Sequence, residues 1–470
     1  GVPDDGVRAS WIFPLIEQKI TTPRQNSCEG KNILVIVVDA LRADHISGYG
    51  YPRDTTPELD RIAAQSVVFD HAYAQSSWTV PSTATIFTGQ YAYTHGVYNL
   101  SHWFLLPGVE TLAGAFRRDG LTTTCFSSNP LVCRGNNLSC GFELFHAIPY
   151  ASAAQLNRAF LDWLDTRENE RFFAYLHYME PHGPYAAPGP AINRFMAGNE
   201  GMDLDMDKAF ELRQVMVDIL NKIHAREGEG RDLTADEKAV LQQLVDLYDG
   251  EIAYWDERFA LLLNELDARG ILENTLIVIT SDHGEEFGDH GLLEHGQSLY
   301  NELLHVPLIF YNTGAFPQRR KDRVGLIDVA PTLLSMAEIP PPSTWKGKTR
   351  SPAYPGFDLF ADLPEREFLF ADTCHGSDQI EGDLFVMQAV FSDKLKAVLS
   401  MDRNSLELFD TIRDRAEQHP LDLSSNPLIE TQMRKRVADW VQKCLESAPY
   451  RISLHDADAL EKLREIGYVK

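Results

Sequence analysis

The sequence predicts an α/β protein: a central, largely parallel or mixed sheet flanked by helices, followed by a smaller C-terminal α+β subdomain that contains a short antiparallel sheet. Three observations support this prediction. Residues 33–38, ILVIVV, are continuously apolar, as in strands that a parallel sheet buries on both faces. Apolar segments of strand length then alternate with helical patterns, which is typical of an α/β core. Beyond the proline-rich residues 339–356, several short apolar segments follow one another closely.

The first predicted elements come in quick succession. Residues 31–40, KNILVIVVDA, predict a buried strand that ends at Asp39. Residues 54–69, DTTPELDRIAAQSVVF, predict a helix with Thr56 as its N-cap and Pro57 in the first helical position. Further strands of the same sheet are predicted at 172–179, 275–284 and 306–312.

The rest of the chain suggests three parts. Residues 1–30 are predicted to form an N-terminal arm, 31–345 the main α/β domain, and 346–470 a C-terminal subdomain, because the proline-rich segment reads as a boundary. A helical, acidic insertion is expected at about 190–245. The C-terminal part should contain short antiparallel strands and a final helix, at 368–373, 384–392, 395–401 and about 427–446.

Charge limits the possible partners. The 470 residues carry a formal net charge of −25, which argues against nucleic acid or an anionic membrane surface as the main partner. An anionic substrate would be repelled too, unless metal ions or a local cluster of donors reverse the field. The longest apolar run, ILVIVV, is far shorter than the roughly 20 residues that a membrane helix needs, so no span is predicted.

The six cysteines show no CxxC spacing, which argues against a structural zinc site. Cys133 and Cys140 flank a short polar segment, where a disulfide would be sterically reasonable. The alternative is that all six remain reduced thiols, most of them buried. The sequence leaves both possibilities open.

Polar residues at the ends of predicted strands mark one possible site. Asp39 ends the first strand, Asp282 and His283 end another, and His182 lies in the segment HYMEPHGPY. In open α/β sheets ligands bind at the carboxyl ends of strands. Carboxylates mixed with imidazoles suit zinc or manganese, and a carboxylate-rich set would also take calcium or magnesium.

Several longer motifs, taken together, are more specific than any one residue. Residues 37–99, VVDALRADHISGYGYPRDTTPELDRIAAQSVVFDHAYAQSSWTVPSTATIFTGQYAYTHGVYN, resemble the N-terminal part of the sulfatase family, within the alkaline-phosphatase superfamily. HYMEPHGPY, ITSDHGEEFGDHG, LYNELLHVPLIF and LIDVAPTLLSMAEI continue the resemblance in the same order. The likeness covers nearly the whole chain from about residue 30. It implies a metal-dependent hydrolase of anionic esters.

The chain departs from the sulfatase pattern at its centre. Sulfatases carry Cys or Ser in the pattern C/S-x-P-x-R, but here the segment reads Thr79-Val80-Pro81-Ser82-Thr83. Superfamily members with a Thr nucleophile include phosphodiesterases and the phosphoethanolamine and glycerol-phosphate transferases of bacterial envelopes. The resemblance therefore implies that Thr79 is a phosphoryl-transfer nucleophile. The alternative for Thr79 is a plain helix N-cap.

The resemblance also implies roles for other residues. Asp39, Thr79, Asp282 and His283 would hold the main metal ion, and Ala40 replaces a further metal-binding Asp, which favours zinc or manganese over calcium or magnesium. His295 stands where sulfatases have a lysine.

His182, from an HGP motif, and His295 would bind the transferred phosphate or a second, weaker metal, and either could protonate the leaving group. A surface position is the alternative for His295. His177 reads as a strand residue behind the ligands, and Trp78 as packing in the wall. Asn99 matches a position near the substrate, or forms a plain turn.

The predicted function is therefore hydrolysis of phosphate mono- or diesters through a phosphothreonine intermediate at Thr79. The substrate would be a small or envelope-derived anionic ester, and the location extracytoplasmic, periplasmic or secreted, with tethering through a missing N-terminal segment left open. Alternatives are a transferase whose membrane segment was removed, a sulfuric ester hydrolase, and a catalytically silent binding protein. The leaving group and the oligomeric state are not predicted.

Overall fold

The structure is a computed structural model of the chain. It describes residues 30–447, apart from 99–102, 168–169, 187, 189, most of 197–233, 343–355, 362–366, 376–384, 393, 401–404 and 426. The predicted N-terminal arm, the early part of the acidic insertion and the predicted boundary at 345–346 lie outside the described residues. The division into domains therefore stays a prediction.

A mixed sheet of eight strands forms the centre of the molecule, as predicted. Its strands, in chain order, are β1 (Asn32–Val38), β2 (Ser66–Tyr73), β3 (Thr122–Ser127), β4 (Leu144–Ala147), β5 (Phe172–Tyr178), β6 (Thr275–Thr280), β9 (His305–Tyr311) and β10 (Gln318–Gly325). Strands β7 (Glu286–Phe287) and β8 (Leu293–Glu294) form a separate small hairpin between β6 and β9. The spatial order is β10-β2-β9-β6-β1-β5-β3-β4. Among these eight strands, β9 alone is antiparallel to its neighbours, and all the other pairs are parallel.

Strand β1 is buried on both faces because layers of side chains cover each of them. All seven of its residues are buried, between β5 on one side and β6 on the other. Ile33, Val35 and Val37 belong to one hydrophobic cluster, and the alternate residues Leu34, Ile36 and Val38 belong to another. The continuous apolar run in the sequence follows from this two-sided burial.

Helices cover both faces of the sheet. In chain order they are α1 (Pro57–Ala63), α2 (Thr79–Thr88), α3 (Ala92–His95), α4 (Leu112–Arg118), α5 (Ala153–Leu164), α6 (Ala235–Ala268), α7 (Asn301–Leu304), α8 (Val329–Met336) and α9 (Pro427–Ser447). Buried residues of α2, α4 and α8 belong to the cluster that contains Val35, and those of α1, α5 and α6 to the cluster that contains Ile36.

The predicted helix at 54–69 is only partly correct. Thr56 is the N-cap and Pro57 the first helical residue, as expected, but α1 ends at Ala63 and strand β2 begins at Ser66. Val67, Val68 and Phe69 pair with β9 on one side and β10 on the other. β-branched and aromatic residues fit such a buried, paired position better than a helix.

Long-range contacts fix α6 against the segment that follows β1. The fully buried Asp249 of α6 accepts hydrogen bonds from His45 Nδ1 at 2.8 Å, Tyr51 hydroxyl at 2.7 Å and Arg53 Nη1 at 2.8 Å. Asp256, two turns further along α6, accepts from the first-turn amides of α1 at 2.9 and 2.8 Å. These two carboxylates of α6 therefore fix the helix against the core through hydrogen bonds.

A second, smaller sheet lies near the C-terminus, as predicted. Its four antiparallel strands are β11 (Phe368–His375), β12 (Phe385–Ser392), β13 (Leu395–Ser400) and β14 (Ser405–Asp410). Helix α9 packs on it, with Trp440 stacked on Phe370 at 4.1 Å between ring centroids. The strands expected at 368–373, 384–392 and 395–401 and the final helix are confirmed; β14 was not predicted.

A buried ion pair joins strand β13 to the loop that follows β14. Lys396 of β13 and Glu417 are both fully buried at their side chains, with Nζ 2.8 Å from Oε2. Glu417 Oε2 also accepts from the backbone amide of Asn301, and its carbonyl oxygen lies 2.9 Å from His290 Nε2. The segment between β7 and α7 is thus fixed from the C-terminal side.

The cysteine alternatives are resolved in favour of thiols for the residues that the structure describes. Cys133 and Cys140 are both free, and so is the buried Cys125. The disulfide considered for Cys133 and Cys140 is therefore absent. Among the described helices, none combines the length and apolarity that would be needed to cross a bilayer.

Candidate active site

Four strands of the main sheet deliver polar residues to one place. Asp39 follows β1, Asp282 follows β6, Asn129 follows β3, and His177 is the penultimate residue of β5. Because these four strands are parallel neighbours, their carboxyl ends meet at the same edge of the sheet. All four side chains are almost completely buried.

Three of the predicted ligands form a group that could hold a metal ion. One ligand atom from each of Asp39, Asp282 and His283 lies within 4.8 Å of the other two. Asp39 Oδ1 and Asp282 Oδ2 are buried and have no hydrogen-bond partner. Since two such oxygens are costly without a donor or a cation, this donor set fits a divalent cation.

The other oxygen of each carboxylate is held by the protein. Asp39 Oδ2 accepts a hydrogen bond from Asn129 Nδ2 and lies 3.1 Å from His177 Nε2. Asp282 Oδ1 accepts from the amides of His283 at 3.0 Å and Ala40 at 3.3 Å. The two remaining oxygens, Asp39 Oδ1 and Asp282 Oδ2, each lie 3.6 Å from His283 Nε2.

The electrostatics favour the protonation states that ligate metals. Burial alone would raise the pKa of Asp39, but the charge of His182 and the hydrogen bond and charge of His177 outweigh it and hold that pKa well below its usual range. Burial lowers the pKa of His283, against the neighbouring charge of Asp282. An ionised carboxylate beside a neutral imidazole is the form in which both bind a cation.

Ala40 is the departure from the family pattern next to Asp39. It adopts a left-handed backbone conformation with φ of 58°, which is uncommon for a residue with a Cβ. Its amide donates to Asp282, and its carbonyl oxygen accepts from the Tyr248 hydroxyl at 2.6 Å. The backbone of this position therefore supports the carboxylates, although its side chain supplies no ligand.

Thr79 faces the carboxylate group rather than capping its helix. It is the first residue of α2, whose N-cap is Trp78, and no side-chain hydrogen bond caps this end. Thr79 Oγ1 lies 3.3 Å from His283 Nε2 and 3.4 Å from Asn129 Nδ2. The side chain is buried and the positive end of the helix lies beside it.

His182 and His295 lie on the outer side of His283. The ring centroid of His295 is 4.4 Å from that of His283 and 4.8 Å from that of His182. His182 Nδ1 lies 2.6 Å from the carbonyl oxygen of Gly183, and His295 Nδ1 lies 2.8 Å from Glu285 Oε1. Each ring thus uses Nδ1 for the protein and leaves Nε2 for a ligand.

Glu285 also determines the charge of His295. Burial lowers the pKa of this imidazole, but the charge and hydrogen bond of Glu285 outweigh burial and raise it to about 9. Glu285 itself is only 2% exposed. His295 itself has a side chain that is 19% exposed and lies against the other site histidines, and its role in the site stays a prediction.

The structure brings together six of the seven predicted site residues, namely Asp39, Thr79, His182, Asp282, His283 and His295. Asn99 lies outside the described residues. Trp78 is buried in the hydrophobic cluster, as expected for wall packing. Sequence reasoning missed Asn129 and Glu285. A usable signal existed for each, because Glu285 directly follows the DHG motif and Asn129 stands in a polar SSNP turn after a strand.

Known proteins resemble this chain over most of its length. The profile described as Sulfatase matches residues 31–339. An arylsulfatase of Clostridium perfringens is 24% identical, with 88% of this chain and 93% of that protein aligned. The multifunctional alkaline phosphatase superfamily protein PehA of Trinickia caryophylli is 26% identical over 68% of this chain and 76% of its own length.

Solved structures show the same fold. The phosphonate monoester hydrolase of Agrobacterium radiobacter superposes with a TM-score of 0.68 at 19% identity, covering 88% of this chain and 96% of that one. The corresponding enzyme from Silicibacter pomeroyi gives a TM-score of 0.66 at 20% identity, with 90% and 97% covered. The profile match and the shared fold together establish that the chain belongs to the sulfatase family of hydrolases, within the alkaline-phosphatase superfamily.

Proposed function

We propose that this chain is a metal-dependent hydrolase of phosphate mono- or diesters in which Thr79 is the nucleophile. One observation carries the proposal: the Thr79 hydroxyl is buried next to His283 and the two carboxylates with unpartnered oxygens. The family's Cys or Ser is absent from this position, and Thr83 replaces the arginine of the sulfatase pattern. The site thus keeps the metal-type ligands and changes the nucleophile.

Asp39, Asp282 and His283, together with Thr79 Oγ1, are the residues that would hold the metal ion. A divalent cation bound there would lower the pKa of the hydroxyl and neutralise charge on the phosphoryl oxygens. The mixed oxygen and nitrogen donors, with Ala40 contributing none, favour zinc or manganese over calcium or magnesium. Asn129 and His177 position Asp39, since both contact its Oδ2.

In the proposed first step, Thr79 Oγ1, after losing its proton to solvent, attacks phosphorus, and the bond from phosphorus to the leaving oxygen breaks. Nε2 of His182 or His295 donates the proton that the leaving alcohol requires, because Nδ1 of each ring is engaged elsewhere. Asn129 Nδ2 lies beside Oγ1 and can donate to an oxygen of the group transferred to it.

In the second step, water attacks phosphorus, and the bond from phosphorus to Thr79 Oγ1 breaks and frees the Thr79 alkoxide. The histidine that gave up its proton in the first step accepts one from that water. Hydrolysis and transfer differ only in whether water or an acceptor alcohol attacks. We favour hydrolysis, because the chain belongs to a family of hydrolases. A periplasmic or secreted location remains a prediction.

The test compares esters that share one leaving group. Wild-type protein supplied with zinc, manganese, magnesium or calcium should hydrolyse p-nitrophenyl phosphate, or its diester, far faster than p-nitrophenyl sulfate. Mass spectrometry should show unmodified threonine at residue 79, and a slow substrate should add a phosphoryl mass to the peptide containing it. Efficient sulfate hydrolysis by the same unmodified sample would favour the sulfatase alternative instead.

A further inference from the structure

Strand β11, which carries a carboxylate with no role in the mechanism, contacts the segments that lead to Thr79 and follow His295. The amide of Asp372 donates to the carbonyl oxygen of Gln75 at 3.0 Å, and Gln75 precedes Thr79 by four residues, a span of at most about 14 Å. The hydroxyl of the next residue, Thr373, donates to the carbonyl oxygen of Gly296 at 2.8 Å. Gly296 directly follows His295, so both catalytic segments contact this stretch of β11.

The Asp372 side chain has no partner that would explain its burial. It is 3% exposed, and its Oδ2 has no hydrogen-bond partner. Among the described residues no cation forms an ion pair with it. Burial alone raises its pKa to about 7. A carboxylate that serves only the fold is usually paired or hydrogen-bonded, so this one needs a different explanation.

A second unpartnered acceptor lies directly opposite. Gln388 of β12 pairs with Asp372 in the antiparallel ladder, so the two side chains share a face of the sheet. Gln388 is fully buried, and its Oε1 also has no hydrogen-bond partner. Its Nε2 donates to the Tyr93 hydroxyl at 3.4 Å, and the Tyr93 ring stacks on Tyr98 with centroids 6.0 Å apart. Two acceptors and aromatic rings are the groups that bind organic cations.

Charge determines which ligand fits. A lone carboxylate beside a site for phosphate esters repels the anionic end of any substrate, since a low-dielectric surrounding strengthens the interaction. The same carboxylate becomes favourable when the alcohol part of the substrate carries a positive charge. A neutral alcohol would leave the carboxylate buried and unpaired.

We propose that Asp372, with Gln388, forms a specificity subsite that binds a cationic group, an alkylammonium, on the alcohol part of the substrate. The inference rests on the proposed function for the position of the phosphate, because the anionic end must lie at Thr79 for the cation to reach Asp372. The substrate class is then a zwitterionic phosphate ester.

The experiment measures binding, so that it does not depend on turnover. Alkylphosphonates of increasing chain length, ending in trimethylammonium, are compared with isosteres that end in a neutral tert-butyl group. Wild-type protein should bind the charged member of the best-fitting pair about tenfold or more tightly, the size expected for a desolvated charge contact. Asp372→Asn should bring the ratio of the two dissociation constants close to one.

Asp165→Asn is the matched control. It removes the same charge from an exposed aspartate that pairs with Arg269, and it should leave the ratio unchanged. Asp372→Ser serves as a second variant if the first does not fold. Equal binding of both ligands to wild type, or an unchanged ratio in the Asp372 variants, would overturn the subsite. Charge-selective binding in a protein that hydrolyses no phosphate ester would instead overturn the proposed function and leave the subsite standing.

Discussion

Replacing Thr79 with Ala should separate stability from catalysis. Thr79 is 1% exposed, so the lost methyl group costs about 1 kcal/mol of folding free energy. The lost hydroxyl contact to Asn129 or His283 adds about 1 kcal/mol. No cap is lost, because Trp78 is the N-cap and the helix end has no side-chain cap. The total of about 2 kcal/mol is a fraction of the roughly 5–15 kcal/mol typical of a domain.

Activity should respond very differently. Thr79→Ala removes the nucleophile and one metal ligand together, so kcat for an aryl phosphate should fall by several orders of magnitude. Thr79→Ser keeps the oxygen and should retain measurable turnover. The assay pairs initial rates at saturating metal with urea unfolding of each variant, which reports the stability change separately.

Thr88→Ala provides the matched control. It makes the same substitution at the other end of α2, about 13 Å along the helix axis, at another fully buried threonine. Thr88 Oγ1 donates only to the carbonyl oxygen of Ala84, within its own helix. This variant should lose a similar amount of stability and keep its activity. If Thr79→Ala turned over phosphate ester near the wild-type rate, water would be the direct nucleophile and the assignment of Thr79 would be wrong.

Three further predictions concern the surrounding residues. Asp282→Ala should remove the bound divalent metal in elemental analysis while circular dichroism stays native, and a variant that keeps full metal content would contradict the ligand assignment. Asn129→Leu should lower kcat about 10- to 100-fold with little change in KM, since it removes the donor beside Thr79 Oγ1; an unchanged kcat would make Asn129 merely structural. The raised pKa of Asp372, about 7 against 3.8, means that the folded state loses stability as pH rises between these values. At pH 8, Asp372→Asn should therefore have an unfolding free energy up to about 4 kcal/mol above that of wild type, seen as a higher unfolding temperature. Below pH 4 the substitution should give no gain in stability. A gain independent of pH would show that the carboxyl does not titrate in this range.

Features with a strong local signal were predictable from the sequence. Strand β1 was identified because burial on both faces requires an unbroken apolar run. The C-terminal strands β11, β12 and β13 were identified from short apolar segments separated by polar ones. The proximity of Asp39 and Asp282 also followed from the sequence, since each ends a strand of one parallel sheet.

Other features depend on contacts between distant parts of the chain. Strand β2 looked like the end of a helix because its pairing with β9 and β10 is invisible locally. Strand β10, QRRKDRVG, is a polar edge strand, so it lacks the apolar pattern that marks buried strands. Asn129 follows the threonine-rich β3, and its importance appears only when the fold places it beside Asp39 and Thr79.

The buried pair of Lys396 and Glu417 has a consequence for protein engineering. Burial lowers the pKa of the Lys396 ammonium and raises that of the Glu417 carboxyl, so neither charge is tolerated well without the other. A chimera that exchanged the small sheet for that of a relative would need to carry a compatible partner for Glu417. Otherwise the Glu417 charge would remain unpaired in the interior. Glu417 also contacts Asn301 and His290, which flank the segment bearing His295. Recombination breakpoints between the two sheets should therefore be chosen so that these residues are inherited as one block.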